Sequence, residues 1–214
     1  MFIDLSHTIE HGMITYDGLP APSISDFLSR EASRARYASG TEFHIGRIDM
    51  VANTGTYMDS PSHRYATGGD IAAIDLQSVA DLPGLVHRVY GNRIDFPSMD
   101  LQGKALLLHT GWSKHWRTPT YWNNEHPFVT REAAVNLARS GVRVVGIDSY
   151  NIDDTRDMTR PAHTELLRAG ILIIEHMTNL EALPETGFRF FAVPPKVRGL
   201  GTFPVRAFAI TDRA

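Results

Sequence analysis

The chain has 214 residues, of which 43% are hydrophobic and 21% are charged, and these proportions are typical of a globular protein. Its net charge of −3 and its pI near 6.3 exclude the basic surface of a nucleic-acid-binding protein and that of a polybasic protein that binds membranes. It contains no cysteine, which excludes disulfides and thiolate catalysis and leaves only nitrogen and oxygen atoms as ligands for a metal.

No targeting or membrane-spanning segment is predicted. No apolar run approaches the roughly 18 residues that are needed to cross a bilayer. The first residues include an acid, Asp4, and lack the basic and then apolar pattern of a secretory signal peptide. Together with the composition, these features predict a cytoplasmic protein whose residues 1–214 form a single domain.

The N-terminal half is predicted to consist of short strands and loops. Residues 2–5 are a candidate strand, and a turn-rich stretch follows at residues 16–20. Residues 43–51 alternate in the way that a strand does, and they lead into the polar segment 53–63. The apolar run at residues 105–108 indicates a buried strand.

Helices and strands are predicted to alternate in the C-terminal half. Thr130 is a candidate N-cap of one helix, and Pro161 suits the first turn of a second helix. Apolar strands follow these helices at residues 142–148 and 171–175. This order predicts βαβ units and therefore an α/β fold.

Three side chains in this half are candidates for a binding site. Asp148 and Glu175 fall at the carboxyl ends of the two strands, where ligands gather in α/β sheets. His163 lies early on the second helix, and the start of a helix lies near the end of the antiparallel strand that follows it. His163 and Glu175 could therefore share a metal ion such as zinc or manganese. The alternative for His163 is a helix cap or a surface histidine.

Residues 53–63 contain a second candidate site. They read Asn-Thr-Gly-Thr-Tyr-Met-Asp-Ser-Pro-Ser-His, and Gly55 and Pro61 restrict the path of what is predicted to be a constrained loop. The side chains of Asp59 and His63 are thus expected to be fixed in direction. The alternative is a polar turn whose side chains only form hydrogen bonds with one another.

Segment 53–63 resembles the signature of the cyclase family, His-x-Gly-Thr-His-x-Asp-x-Pro-x-His. This family comprises kynurenine formamidase-like, metal-dependent hydrolases, and it includes isatin hydrolases. Other segments are similar to those of the family in the same order, namely residues 4–7, 109–112, 125–127, 146–149, 179–180, 191–196 and 204–207. The resemblance implies a single-domain α/β fold of the swivelling β/α/β type and assembly into a homo-oligomer, a dimer or a tetramer.

The resemblance also implies a chemistry, the hydrolysis of a small-molecule amide or ester by a metal-activated water. In the family, two histidines and the motif aspartate hold one metal, and the aspartate bridges to a second metal held by a histidine and a glutamate. On this pattern, Asp59, His163 and Glu175 are the ligands of the second metal. His63 corresponds to the general acid/base, a task that suits an imidazole because it exchanges protons near neutral pH.

The two histidines of the first metal site are replaced in this chain by Asn53 and Tyr57. An amide oxygen and a neutral phenol are poor ligands for zinc. The expectation is therefore one divalent ion, zinc or manganese, in an arylformamidase-like hydrolase. Asn53 and Tyr57 are candidate catalytic residues that donate hydrogen bonds to the developing oxyanion.

Two other functions stay open from the sequence. Loss of two ligands is also what a non-catalytic relative that binds a small molecule would show, although the retention of the other site residues argues against it. A metal-free lyase or isomerase would use His63 and Tyr57 as an acid/base pair, with the pKa of Tyr57 much lowered or with Tyr57 acting only as the acid.

The nature of the substrate is less constrained. Four aromatic residues could line a pocket for a flat acyl or aryl group, or they could form a core or a subunit interface; they are Trp112, Trp116, Tyr121 and Trp122. Arg64, next to His63, could hold a carboxylate through two hydrogen bonds, or it could form an ordinary surface ion pair.

Overall fold

A computed structural model of the protein describes residues 1–211. Its strands are β1 (Phe2–Asp4), β2 (Ser23–Leu28), β3 (Ile45–Asp49), β4 (Tyr57–Asp59), β5 (Leu82–Arg88), β6 (Arg93–Ile94), β7 (Ala105–His109), β8 (Phe128–Val129), β9 (Val144–Ile147), β10 (Leu172–Glu175), β11 (Phe188–Phe191), β12 (Thr202–Pro204) and β13 (Phe208–Thr211). Its α-helices are α1 (Arg30–Ser33), α2 (Arg131–Ala138) and α3 (Pro161–Arg168). Within residues 1–211, no helix has the length and apolar character required to span a membrane.

A nine-stranded mixed sheet forms the centre of the fold. Its order is β1-β13-β11-β5-β7-β9-β10-β4-β12. The four strands β5, β7, β9 and β10 run parallel, and the strands on either side of them pair antiparallel. The predicted α/β class is therefore confirmed, and antiparallel strands extend its parallel centre on both sides.

The helices of the C-terminal half begin where the sequence predicts. The hydroxyl of Thr130 accepts a hydrogen bond from the main-chain N–H of Ala133 (3.3 Å), which caps α2. Pro161 occupies the first turn of α3. A main-chain N–H has no acceptor within the helix at this position, so the lack of one in proline costs no hydrogen bond. These local signals place α3 directly before β10, so that the start of the helix lies near the end of the strand.

Alternating residues of β7 build two hydrophobic cores, one on each face of the sheet. Leu106 and Leu108 are fully buried on the face that α2 and α3 cover, together with Leu137 and Leu166. Leu107 belongs to the core on the opposite face. Successive side chains of a strand point to opposite faces of the sheet. Both faces of the central strands are buried, and this holds the strands in place.

One prediction for the N-terminal half is confirmed and one needs correction. Residues 43–51 contain the predicted strand, β3, which within residues 1–211 pairs only with β2, and the two form a separate hairpin, called here the arm. The segment 53–63 is not only a loop, because β4 is a buried strand of the main sheet between β10 and β12. Three residues are too short a run to show a period of two, and pairing with neighbours far away in sequence creates this strand.

Three histidines are held uncharged by their surroundings. His126 and His176 are fully buried and His7 is half-buried, and the Nε2 atom of each has no hydrogen-bond partner within residues 1–211. Burial lowers the pKa of His126 to about 4, and burial together with the charge of Arg117 lowers the pKa of His7 to about 4. Burial also lowers the pKa of His176 well below its ordinary value. Protonation of these rings therefore opposes folding.

Replacing His126 by asparagine is expected to reduce the acid sensitivity of the metal-free protein. The unfolded chain takes up a proton near pH 6.5, whereas the folded protein takes it up only near pH 4, so the stability due to a neutral His126 is lost as the pH falls through this window. The full shift corresponds to ~3 kcal/mol. Urea unfolding would measure the free energy of unfolding of both proteins between pH 7 and pH 4. The wild type is expected to lose more of it than the variant over this range, and an equal loss would contradict the prediction.

Candidate metal and active site

A cleft of about 420 Å³ opens where β4 and β10 meet the start of α3. This volume lies within the range of roughly 300–1,000 Å³ that is usual for small-molecule sites. Polar and charged side chains line most of it, and the N-terminal turn around Tyr16 contributes one wall. The cleft contains His163 and Glu175, one of the two strand-end carboxylates that the sequence singled out. The other, Asp148, does not line it and accepts hydrogen bonds from Thr110 and Gly111.

Asp153 positions His163. Its carboxylate accepts hydrogen bonds from the main-chain N–H groups of Ala162 (2.5 Å) and His163 (3.2 Å) at the start of α3. The same carboxylate lies 2.6 Å from Nδ1 of the His163 ring. A carboxylate bound to one ring nitrogen fixes the orientation of an imidazole and leaves the other nitrogen available as a ligand.

The free nitrogen of His163 faces two buried carboxylates. Its Nε2 lies 3.5 Å from Oδ2 of Asp59 and 3.7 Å from Oε1 of Glu175. Asp59 is the last residue of β4 and Glu175 is the last residue of β10, and the antiparallel pairing of these strands brings the two side chains into one place. The predicted proximity of His163 and Glu175 is thus present in the structure.

This arrangement fits a divalent cation. Ligand atoms at about 2.0–2.1 Å from a tetrahedral zinc ion lie roughly 3.3–3.4 Å from each other, close to the separations found around Nε2 of His163. Oδ2 of Asp59 is buried and has no hydrogen-bond partner within the described residues 1–211. A buried carboxylate oxygen without a partner is costly, and a bound cation would satisfy it.

The metal-free protein holds a proton where that cation would bind. Burial acts to lower the pKa of His163, but its interactions with Asp153 and Asp59 outweigh burial and raise this pKa well above 6.5. Burial acts to raise the pKa of Asp59, yet its interactions with His163 and His63 hold it below 3.8. Burial raises the pKa of Glu175 to about 7 against the charge of His163. Metal uptake at this place should therefore release a proton.

His63 is connected to Asp59 through Thr202. The Thr202 hydroxyl donates a hydrogen bond to Oδ1 of Asp59, and the same hydroxyl oxygen lies 2.8 Å from Nδ1 of His63. Because the single hydroxyl proton forms the hydrogen bond to Asp59, Nδ1 of His63 must be protonated and donate a hydrogen bond to the Thr202 oxygen. The Nε2 atom of a neutral His63 is then a proton acceptor on a side chain that is 36% exposed and lines the cleft.

Gly201 allows β12 to approach His63 closely. A Cβ atom at this position would lie 2.5 Å from the main-chain nitrogen of His63, which is closer than atoms can pack. The carbonyl oxygen of Gly201 also accepts hydrogen bonds from the main-chain N–H of Ser60 (2.8 Å) and from its hydroxyl (2.9 Å). The close approach holds the His63 turn against the strand that carries Thr202.

Comparisons with known proteins identify the family of the chain. The family model named Cyclase matches residues 3–154. The chain belongs to the cyclase family. The kynurenine formamidase of Geobacillus thermodenitrificans is 31% identical to it over 180 residues, which are 82% of this chain and 84% of that enzyme.

Solved structures of the cyclase family share the fold. Isatin hydrolase A from Labrenzia aggregata aligns with a TM-score of 0.81 at 20% identity, over 100% of this chain and 94% of that one. A protein described as a potential metal-dependent hydrolase with cyclase activity aligns with a TM-score of 0.80 at 26% identity, over 100% of this chain and 99% of the other. The predicted cyclase-type fold is therefore confirmed.

Tyr57, one of the two positions that depart from the cyclase signature, interacts with a proposed metal ligand. Its hydroxyl donates a 2.7 Å hydrogen bond to Oε2 of Glu175, and the main-chain N–H of Ile152 donates one to Oε1 (2.7 Å). Burial and the charge of Glu175 raise the pKa of Tyr57 well above 10. A neutral phenol is neither a metal ligand nor a general base, so of the metal-free alternative only the form in which Tyr57 acts as the acid stays open.

Asn53, the other departure, lines the cleft beside Tyr57. Its amide can donate hydrogen bonds to a bound molecule, whereas the only hydroxyl proton of Tyr57 is already held by Glu175. Direct donation from Tyr57 to an oxyanion would require that bond to break. The roles of both residues toward a substrate stay predictions.

The aromatic cluster of the sequence lies outside the cleft. Tyr121 is fully buried with its hydroxyl 3.0 Å from Nδ1 of His176, and Trp116 stacks on His7 with 3.9 Å between ring centroids. None of the four aromatic residues is among those that line the cleft within residues 1–211. Tyr121 thus belongs to the core, whereas Trp116 and Trp122 line a different pocket, beside residues 10–14.

Sequence reasoning missed three residues that shape the site. Thr202 links Asp59 to His63, and Arg160 lines the cleft, yet no local pattern marks either of them. Asp153 follows the segment 146–149 that resembles the family, and the resemblance does not predict its part in orienting His163. A carboxylate shortly before a helix that begins with a candidate ligand is the signal that could have indicated it.

Proposed function

We propose that this protein is an arylformamidase-like hydrolase of a small amide or ester and that Asp59, His163 and Glu175 hold one divalent ion, zinc or manganese. The observation that carries the proposal is the position of Nε2 of His163 between two buried carboxylates, one of which has an oxygen without a partner. The protein is a hydrolytic enzyme of its family, and the relative named a kynurenine formamidase supports amide hydrolysis.

The side chains of the cleft divide the work of the reaction. The metal, when bound, supplies a Lewis acid that polarises the substrate carbonyl and makes water a better nucleophile. Nε2 of His63 accepts the proton of the attacking water and returns it to the leaving nitrogen or oxygen. Thr202 keeps the His63 ring in the tautomer that this task needs, because its hydroxyl oxygen accepts a hydrogen bond from Nδ1–H.

Two further residues support the acyl centre in this proposal. The amide of Asn53 donates a hydrogen bond to the oxyanion that forms when the carbonyl is attacked, which is a contribution of a few kcal/mol in a site with little water. Tyr57 holds Glu175 in place through its hydroxyl. A donor role of Tyr57 itself is tested by Tyr57→Phe: a loss of turnover at unchanged metal content supports it, and unchanged turnover excludes it.

We also propose that the chain forms a single catalytic domain, resides in the cytoplasm and assembles into a dimer or tetramer. The arm supports the assembly, because its strands pair only with each other and expose large apolar side chains. These are Ile24, Phe27, Ile45 and Ile48, which are 39–70% exposed. A second copy of the chain that covers the arm would bury them. Light scattering that gives the mass of one chain would overturn this assembly.

The test of the proposed function is the metal content of protein purified without added metal or chelator. Elemental analysis is expected to give about one equivalent of zinc or manganese per chain, and a chelator is expected to abolish the hydrolysis of amides. Two equivalents would mean that the first metal site, where Asn53 and Tyr57 replace histidines, binds metal as well. No metal after incubation with divalent ions would overturn the proposal.

A further inference from the structure

Two arginines lie at the cleft, beside the segments that carry its histidines. Arg64 directly follows His63, and its Nε lies 3.4 Å from the hydroxyl of Thr164 in the first turn of α3. Arg160 directly precedes α3, and both arginines line the cleft. Both therefore lie close to the start of α3, the helix that carries His163.

Neither guanidinium is neutralised by the part of the protein that the structure describes. Within residues 1–211, no carboxylate forms an ion pair with Arg64 or Arg160, although Asp17 and Glu175 also line the cleft. The side chain of Arg160 donates one long hydrogen bond, 3.4 Å from Nη1 to the carbonyl oxygen of Asp154. A guanidinium has five N–H donors, so most of them are free to bind a molecule in the cleft.

The backbone of Arg160 is held in an unfavourable conformation. Its φ of 48° and ψ of 62° lie in the left-handed region, which a residue with a Cβ atom rarely adopts. The residue before a proline is also disfavoured in helical conformations, and Pro161 follows directly. The surrounding structure enforces this strain, which places the guanidinium at the cleft, and such strain is typical of ligand-binding positions.

The other charges around the cleft do not repel an anion at this place. Asp59 and Glu175 are buried, and Nε2 of His163 lies 3.5 Å and 3.7 Å from their oxygens, where a divalent ion would neutralise both carboxylates. Asp17 lies in the N-terminal turn on the other wall. The unpaired N–H donors that line the cleft thus belong to the guanidinium groups of Arg64 and Arg160. Planar guanidinium groups bind carboxylates through paired hydrogen bonds.

We propose that the cleft binds its substrate through a carboxylate held by Arg160 and Arg64. The substrate class would be amides or esters of small molecules that also carry a free acid group a few bonds from the scissile carbonyl. This inference rests on the proposed function for the reaction, but the carboxylate subsite itself does not require turnover. Arg160 and Arg64 thereby determine specificity, and they take no part in the bond cleavage.

The binding test compares benzoate with benzamide, which has nearly the same shape and no charge. Calorimetric titration of metal-free and metal-loaded protein is expected to show tighter binding of benzoate. Arg160→Gly should weaken benzoate binding by about 10- to 100-fold, the value of one or two charge-assisted hydrogen bonds, and leave benzamide binding within about 2-fold. Arg64→Gln should have a smaller effect of the same kind, because Arg64 is the more exposed of the two.

Two controls separate recognition from folding. Glycine tolerates the left-handed backbone, so Arg160→Gly should unfold at the same temperature as the wild type or higher. Arg168→Gln removes an arginine of α3 that pairs with Glu165 and does not line the cleft, and it should change neither binding constant. Equal affinities for benzoate and benzamide in the wild type, or an unchanged benzoate affinity in Arg160→Gly, would overturn the proposal.

A kinetic test distinguishes failure of the subsite from failure of the hydrolase. N-formylanthranilate and formanilide share the formamide and differ in the carboxylate, and kcat/KM is expected to favour the acid by about 10-fold or more, a ratio that Arg160→Gly should remove. Hydrolysis of both at equal efficiency would overturn the subsite and leave the hydrolase standing. Hydrolysis of neither, with benzoate binding still dependent on Arg160, would overturn the hydrolase and support the subsite.

Discussion

Asp59→Asn is expected to remove the bound metal and to lower kcat by roughly 10³-fold or more, because the Lewis acid that is lost is worth several kcal/mol. Asparagine keeps the shape of the side chain and can still accept the hydrogen bond of Thr202. It lacks the negative charge that makes Oδ2 a ligand toward Nε2 of His163, 3.5 Å away. Because the substitution leaves no cavity, a loss of metal is attributed to the missing carboxylate ligand.

The experiment combines elemental analysis with thermal unfolding and turnover. The matched control is Asp100→Asn, which alters an exposed carboxylate that accepts a hydrogen bond from the main-chain N–H of Gln102 outside the cleft. It should keep the metal and the activity of the wild type. If Asp59→Asn retains one equivalent of metal while it is folded, the proposed ligand set is wrong.

His63→Gln is expected to lower kcat by about 10²- to 10⁴-fold at unchanged metal content, which is the usual contribution of a positioned general acid/base. Glutamine can keep a hydrogen bond with Thr202, but it cannot take up and return a proton at neutral pH. The variant should therefore also lose the limb of the pH–rate profile that reports the base. His44→Gln, on the exposed arm, is the matched control and should leave kcat unchanged.

The same variant distinguishes two assignments of His63. Ligand atoms of Asp59, His63 and His163 all lie within 4.8 Å of one another, so these three residues could themselves hold an ion. Loss of metal in His63→Gln together with retention in Glu175→Gln would make His63 the ligand in place of Glu175. Retention in His63→Gln and loss in Glu175→Gln would support the roles proposed here.

Local signals in the sequence determined the part of the fold that carries the candidate ligands. The cap at Thr130 and the proline at Pro161 act on the residues next to them, so the positions of α2 and α3 follow without knowledge of the rest of the chain. The order of helix and strand then requires His163 to lie near Glu175, and the structure has them 3.7 Å apart. The spacing of Asp59 and His63 alone did not distinguish a functional site in segment 53–63 from a polar turn. The resemblance to the cyclase family favoured the functional site.

Only the tertiary structure decided how the remaining site residues act. Thr202 contacts a histidine 139 positions earlier in the chain, and Tyr57 donates a hydrogen bond to a carboxylate 118 positions later. The strand that carries Asp59 exists because β10 and β12 pair with it on both sides, and Arg160 lines the cleft with a backbone in the left-handed region. Capping and hydrophobic periodicity act over a few residues, whereas these contacts depend on strand pairing across the whole chain, which no local pattern encodes.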